Sequence, residues 1–275
     1  MAVIALTREM GTRGSEVAQG LAERLGLTVI HQELVETDVA QRTGLDRSDI
    51  HRLLEGEASL WERWMVDSRR IVQTTALEVL ELALRGHIVI RGWGAAYLLR
   101  DIPHVICVRT CAPMSYRERV VMERQGLPDL SAARREIERH DFAHNGTMEQ
   151  MFGIDWSDPT LYSLVLNTSR VPVSACVDQI ARMTELPIFQ ETEHSRTALM
   201  DRTILARAQQ AMTQRFGSRS LQNGFEISVF SGKVLLTGGS TDEHMIVEAI
   251  RLLQDIDGVQ GVESKVHHVA FVPHA

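Results

Sequence analysis

Short β-branched runs alternate with segments of helical period from Val3 to Met183, and this alternation restricts the fold more than any other property of the chain. The runs are Val3 to Leu6, Thr28 to Ile30, His87 to Ile90, Val105 to Val108 and Leu164 to Leu166. His87 to Ile90 and Val105 to Val108 are buried β-branched runs of the kind found in parallel sheets. Between the first two runs, Glu16 to Leu25 places Val17, Leu21 and Leu25 on one helical face, with Gly26 positioned to cap it. A helical region is expected from Gln32 to Arg85, broken near Gly44 and Gly56, with Asp46 or Ser48 as helix starts. Tyr116 to Gln125, Ser131 to His140 and Ser174 to Met183 complete the set. Strands alternating with helices predict an α/β fold with a parallel sheet flanked by helices.

The pattern changes after a polar stretch between Thr184 and Thr197, which divides the chain into residues 1–184, a linker at 185–197, and residues 198–275. Leu199 to Phe216 reads as a helix. Phe225 to Phe230 and Lys233 to Thr237 alternate and are joined by Ser231-Gly232, a hairpin signal. Glu243 to Leu253 is a second helix and Val262 to Val269 a final strand, so the C-terminal part is a small α+β unit.

At 275 residues, 44% hydrophobic and 24% charged, the chain has the balance of a globular protein with a sizeable core. A net charge of −7 argues against a nucleic-acid partner. No apolar run approaches the ~20 residues of a membrane span, and the first residues lack the features of a signal peptide. A cytoplasmic protein is the expectation. Cys107, Cys111 and Cys176 form no CxxC pair, and small buried thiols are expected at Cys107 and Cys111. The only lysines are Lys233 and Lys265, so cation chemistry in the first part must come from arginine.

The candidate site begins at the turn after the first strand. A P-loop reads GxxxxGK[ST], and its amides together with the helix dipole hold phosphate. The corresponding window, Thr7-Arg8-Glu9-Met10-Gly11-Thr12-Arg13-Gly14, has displaced glycines and an arginine for the lysine. By itself this is a weak signal.

Other blocks stand in register with it. Ile4-Ala-Leu-Thr-Arg-Glu-Met-Gly-Thr-Arg-Gly-Ser-Glu-Val-Ala is followed by Leu21-Ala-Glu-Arg-Leu-Gly, Ile88-Val-Ile-Arg-Gly-Trp-Gly, Arg117-Glu-Arg-Val-Val-Met-Glu-Arg and Asp155-Trp-Ser-Asp-Pro-Thr-Leu-Tyr-Ser-Leu. Together, over residues 3–183, they resemble the cytidylate-kinase-like family. The resemblance implies a P-loop nucleoside-monophosphate kinase fold that binds ATP with Mg2+ and a nucleoside monophosphate under an arginine-bearing lid. It places donor phosphates at Gly11, Thr12, Arg13, Gly14 and Ser15, and the acceptor near Arg91. Arg117, Arg119, Arg124 and Arg139 would neutralise the transferring group, with Asp141 in the lid motif. No residue pattern suggests a protein metal site.

The chain also departs from the family pattern. Besides the missing P-loop lysine, Gly-Arg-Gly reads Gly92-Trp93-Gly94, the lid Asp-x-x-Arg ends in His144, Tyr-Asp-Leu reads Tyr162-Ser163-Leu164, and Tyr-Asp after the second strand reads Ile30-His31. His31, His140 and His144 lack a visible partner in sequence and are read as core or surface residues, and His267-His268 has no ligand spacing. In the tail, Gly232-Lys-Val-Leu-Leu-Thr-Gly and Gly258-Val-Gln-Gly-Val resemble the BON domain, which implies association with a partner or a second copy, or with a phospholipid surface. The charges balance from Arg196 onward, which favours protein over anionic lipid. Two functional readings therefore stand: a phosphotransferase, and a non-catalytic nucleotide sensor or scaffold assembled through its tail.

Overall fold

A computed structural model describes residues 2–54, 68–92, 94–217, 224–240 and 242–268. The expectations at Gly56, Trp93 and Val269 lie outside the described residues. The chain forms two compact units, Met1–Thr192 and Glu193–Ala275.

In the first unit, five parallel strands are ordered β2-β3-β1-β4-β5: β1 (Val3–Arg8), β2 (Thr28–Ile30), β3 (Ile88–Arg91), β4 (Val105–Cys111) and β5 (Leu164–Asn167). The most apolar run, β1, takes the central place and is buried from Val3 to Thr7. Helix α1 (Gly14–Leu25) covers one face together with α8 (Val173–Met183). There Val17, Leu21, Val177 and Ile180 pack on Ile4, Leu6, Ile106 and Val108. Each fully buried aliphatic side chain contributes about 1.5–3 kcal/mol to holding that layer.

Helices α2 (Gln32–Thr43), α3 (Arg47–Leu54) and α4 (Ser68–Arg85) follow β2, and the short α5 (Ala95–Leu99) follows β3. Burial pushes the Cys107 thiol up to about 12, and its Sγ donates to the Ala96 carbonyl at 3.2 Å. The free thiols of Cys107 and Cys176 are buried, whereas Cys111, expected to be buried, is only partly so at the end of β4. Helices α6 (Met114–Gln125) and α7 (Leu130–Phe152) pack through Val121, Ala133 and Ile137 onto Met10 of the loop after β1.

Several elements outrun their apolar patterns. β1 continues to Arg8 and β4 to Cys111, because Thr7 pairs with Arg109 and Arg8 with Thr110. α7 runs past His140 to Phe152, its start fixed by Asp129, whose carboxylate accepts from the Ala132 amide at 2.7 Å. These extensions carry polar residues to the C-terminal edge of the sheet.

The second unit holds α9 (Glu193–Phe216), the antiparallel hairpin of β6 (Glu226–Phe230) and β7 (Lys233–Ser240), α10 (Glu243–Gln254) and β8 (Gly261–His268), which is parallel to β7. Residues 193–197, expected in a linker, form the first turn of α9, where Ser195 is buried. Ile204, Met212, Phe225, Val234, Leu236 and Leu253 form this unit's own core. No helix among the described residues is long and apolar enough to cross a membrane.

Gly11 tests the fit of the loop under α6. A Cβ there would lie 2.7 Å from the Arg117 carbonyl oxygen, on a backbone with φ +81°. Gly44 has a similar φ of +74° but nothing within 4 Å. Gly11→Ala is expected to cost about 2–4 kcal/mol in urea unfolding and Gly44→Ala about 1 kcal/mol. Equal costs would show that the loop does not depend on this close approach.

Candidate functional site

β1 delivers the chain into a tight loop, residues 9–13, that ends on the first turn of α1. The loop is folded by Thr12. Its amide and hydroxyl both donate to the Glu9 carbonyl, at 3.3 and 2.8 Å, and its Oγ1 lies 2.9 Å from Thr110 Oγ1 on β4. Arg13 stands before the helix in the left-handed region, φ 55° and ψ 20°, a conformation that favours glycine. The next position, Gly14, opens α1. A Cβ on Gly14 would meet Arg8 Cβ at 2.7 Å and Thr110 Oγ1 at 2.8 Å, so no side chain fits at the helix start. Arg13 occupies a turn position, and its guanidinium reaches Glu16 at 3.8 Å on the surface.

The amides of Gly11, Arg13, Gly14 and Ser15 donate to no backbone carbonyl among the described residues. With the positive end of the α1 dipole, they form a surface suited to an oxyanion. Arg8 flanks it at Gly14, and Arg91 at the end of β3 donates from Nη1 to Ser15 Oγ at 3.0 Å. The buried Nε of Arg91 has no hydrogen-bond partner. The loop, Ser15 and Arg91 are thus brought together as one arrangement.

Beside this surface lies a ring of charges. Glu9 accepts from Arg109 Nη2 at 2.5 Å and from the Ala112 amide at 3.2 Å, and its carboxylate is 3.7 Å from Arg117. Arg117, on α6, donates from Nε to the Met10 carbonyl at 2.6 Å and from Nη2 to Asp141 of α7 at 2.7 Å. Burial pushes the Asp141 carboxyl up, but the contacts of His140 and Arg117 outweigh burial and hold it below the ordinary carboxylate range. His140 stacks on His144, 6.1 Å between centroids, and His144 meets the Trp156 ring edge-on at 4.4 Å. Arg109 lies 5.0 Å from the Trp156 centroid, which closes the ring. Trp156 is held by hydrogen bonds from its indole to Asn145 and from the Tyr162 hydroxyl to its carbonyl. Burial pushes Tyr162 up to about 12.

Arg117 and Asp141 therefore meet as a pair next to the loop. Arg119 and Arg124 lie exposed on α6, and Arg139 is exposed on α7, paired with Glu136 at 2.9 Å. Arg117 and Arg124 are two turns apart, yet only Arg117 is buried against the loop. Ser163, which stands where the family pattern has a carboxylate, instead ties β5 to β4, its amide donating to the Cys107 carbonyl at 2.7 Å. Arg8, Glu9, Arg109 and Trp156 were not singled out by sequence reasoning. The one available signal for Arg109 is a charged residue directly after an apolar strand run. On the far side of Trp156, α4 and α7 enclose a cavity of about 10 Å3, room for roughly one water. It is lined by Thr75, His144 and Thr147, and the buried hydroxyls of Thr75 and Thr147 have no partner.

Comparisons with known proteins place the chain in a family. The model of the "Cytidylate kinase-like family" matches residues 3–170. A cytidylate kinase from Pyrobaculum aerophilum is 29% identical over 177 residues, 64% of this chain and 89% of that protein. One from Aeropyrum pernix is 30% identical over 164 residues, 59% of this chain and 87% of that protein. Among solved structures, an uncharacterized protein from Eubacterium ventriosum shares the fold with a TM-score of 0.53 at 22% identity, covering 67% of this chain and 98% of its own. The family match spans more than half of the chain and includes the loop, Arg91, Arg117 and Asp141: the protein belongs to the cytidylate kinase-like family.

Proposed function

We propose that the protein transfers the terminal phosphoryl group of ATP to a nucleoside monophosphate, with cytidine monophosphate the first acceptor to test. The observation that carries this reading is the set of free amides at the start of α1, flanked by Arg8, Arg13 and Arg91. Family membership supports it, as do relatives named cytidylate kinase. In such a transfer an acceptor phosphate oxygen bonds to the γ-phosphorus, the bond from that phosphorus to the bridging oxygen breaks, and ADP leaves with the electron pair. The protein's work is to position the groups and to offset charge on the equatorial oxygens. The loop amides would hold donor phosphates, joined by Arg91, which the resemblance sets near the acceptor but which bonds to Ser15, with Arg13 closing over them from the surface. Arg117 would turn toward the transferring group, and the exposed Arg119, Arg124 and Arg139 would reach it only if α6 and α7 move.

Among the described residues no group of three or more His, Cys, Asp or Glu is placed to hold a metal ion. Mg2+ fits this loop as an ion carried by phosphate oxygens and water, with the Ser15 hydroxyl as the protein donor. There it would neutralise phosphate charge.

A second reading, a nucleotide sensor that assembles through a BON-like C-terminal unit, is favoured by one observation. Phe230 is 81% exposed, beside a groove lined by Ser228, Lys233, Leu235 and Val262. Either protein would work in the cytoplasm.

Calorimetric titration with ATP and Mg2+ tests the donor site. Arg91→Ala and Arg13→Ala are expected to weaken ATP about tenfold each, the worth of one charge-assisted contact. Wild-type protein that takes up no ATP would remove the kinase reading. Asp141 offers a test of the resting state. Its folded-state pKa is depressed, so its stabilisation is present above the ordinary carboxylate value of about 4 and is lost as pH falls through the lower folded value. Asp141→Asn is therefore expected to cost about 1–3 kcal/mol at pH 7, with the gap to wild type narrowing below about pH 4. A gap that is constant with pH would contradict the ion pair.

A further inference from the structure

Two arginines bracket the C-terminal end of the central strand. Arg91 pairs with Leu6 and Arg109 with Thr7, so they flank β1 on its two sides. They also point to opposite faces. Val89 and Val108 both pack in the layer under α1; Arg91 shares the parity of Val89, whereas Arg109 is one residue from Val108 and turns towards Trp156. Arg91 thus belongs to the donor side, with Ser15, and Arg109 to the other side.

Arg109 is 8% exposed, and its guanidinium is held by Glu9 at 2.5 Å and the Ser157 carbonyl at 2.6 Å. Its Nε is buried without a partner. A cation sunk in the protein with a donor left unused is costly unless something else uses it. A planar guanidinium is suited to grip a phosphate.

We propose that Arg109 is the cation for the acceptor's phosphate, with Glu9 as the internal anion that holds it until the monophosphate arrives. This assignment rests on the phosphoryl-transfer reading and names the acceptor subsite within it. Thr75 and Thr147, whose hydroxyls are unpaired, line a cavity between α4 and α7 that His144, packed edge-on against Trp156, also lines. That cavity holds about one water, so admitting a nucleoside requires the two helices to part.

The test is calorimetric titration of the full chain with CMP and, separately, with ATP, after thermal unfolding has shown each variant to be folded. Arg109→Gln is expected to weaken CMP about tenfold or more while ATP stays within about twofold. Glu9→Gln keeps the arginine and removes its competitor, so CMP should bind more tightly. CMP affinity unchanged in R109Q, or CMP and ATP weakened together, would overturn the assignment. So would weaker CMP binding by E9Q, a result that decides the matter even if R109Q does not fold. Wild-type protein that binds ATP but no CMP removes the acceptor reading itself and this assignment with it. Normal wild-type binding of both, matched by R109Q, removes this assignment alone.

Discussion

Four charges drawn in from solvent at the C-terminal edge of the sheet are stable there only as a closed set, and the rest of the site is arranged around that requirement. Glu9 comes from the end of β1, Arg109 from β4, Arg117 from α6 and Asp141 from α7. Removing one partner of such a set leaves an unpaired charge at a cost of several kcal/mol. The ring therefore fixes the loop after β1, the strand edge and the two outer helices relative to one another. It also explains the glycines: Gly11 lies under the backbone at Arg117, and Gly14 against Arg8 and Thr110, where a side chain would push the loop away from the helix and strand that hold it.

The ring is neutral, two carboxylates against two guanidinium groups. Arg109 and Arg117 are therefore committed to internal anions in this structure, while Arg8 and Arg91 flank the start of α1 and Arg13 meets Glu16 on the surface. Phosphate oxygens resemble carboxylate oxygens in their demand for guanidinium donors. An arginine held by a carboxylate is already desolvated and aimed, so exchanging one anion for another costs less reorganisation than drawing an arginine in from water. The Arg117–Asp141 pair also joins α6 to α7.

Much of the first unit was legible because its strands are apolar on both faces: Ile4, Val89, Ile106 and Val108 announce themselves by composition. The strand ends were not, since Thr7, Arg8, Arg109 and Thr110 break the apolar pattern exactly where the sheet meets the loop. The ring was invisible for another reason. Glu9 and Arg109 lie a hundred positions apart, and no local rule brings them together. Arginines on α6 and α7 showed the opposite problem, since sequence could not separate the buried Arg117 from the exposed Arg119 and Arg124. In the C-terminal unit, alternation gave the hairpin, but not the carboxylate of Asp201, which accepts from the Ser231 and Gly232 amides at 2.7 Å each and fixes the turn.

The central claim is that this edge of the sheet moves a phosphoryl group between two nucleotides. Phosphorus NMR of the full chain with ATP, CMP and Mg2+ reads it directly. The account predicts ADP and CDP growing in equal amounts as ATP and CMP decline. Unchanged ATP and CMP, or ATP falling to ADP and free phosphate with CMP untouched, would contradict it.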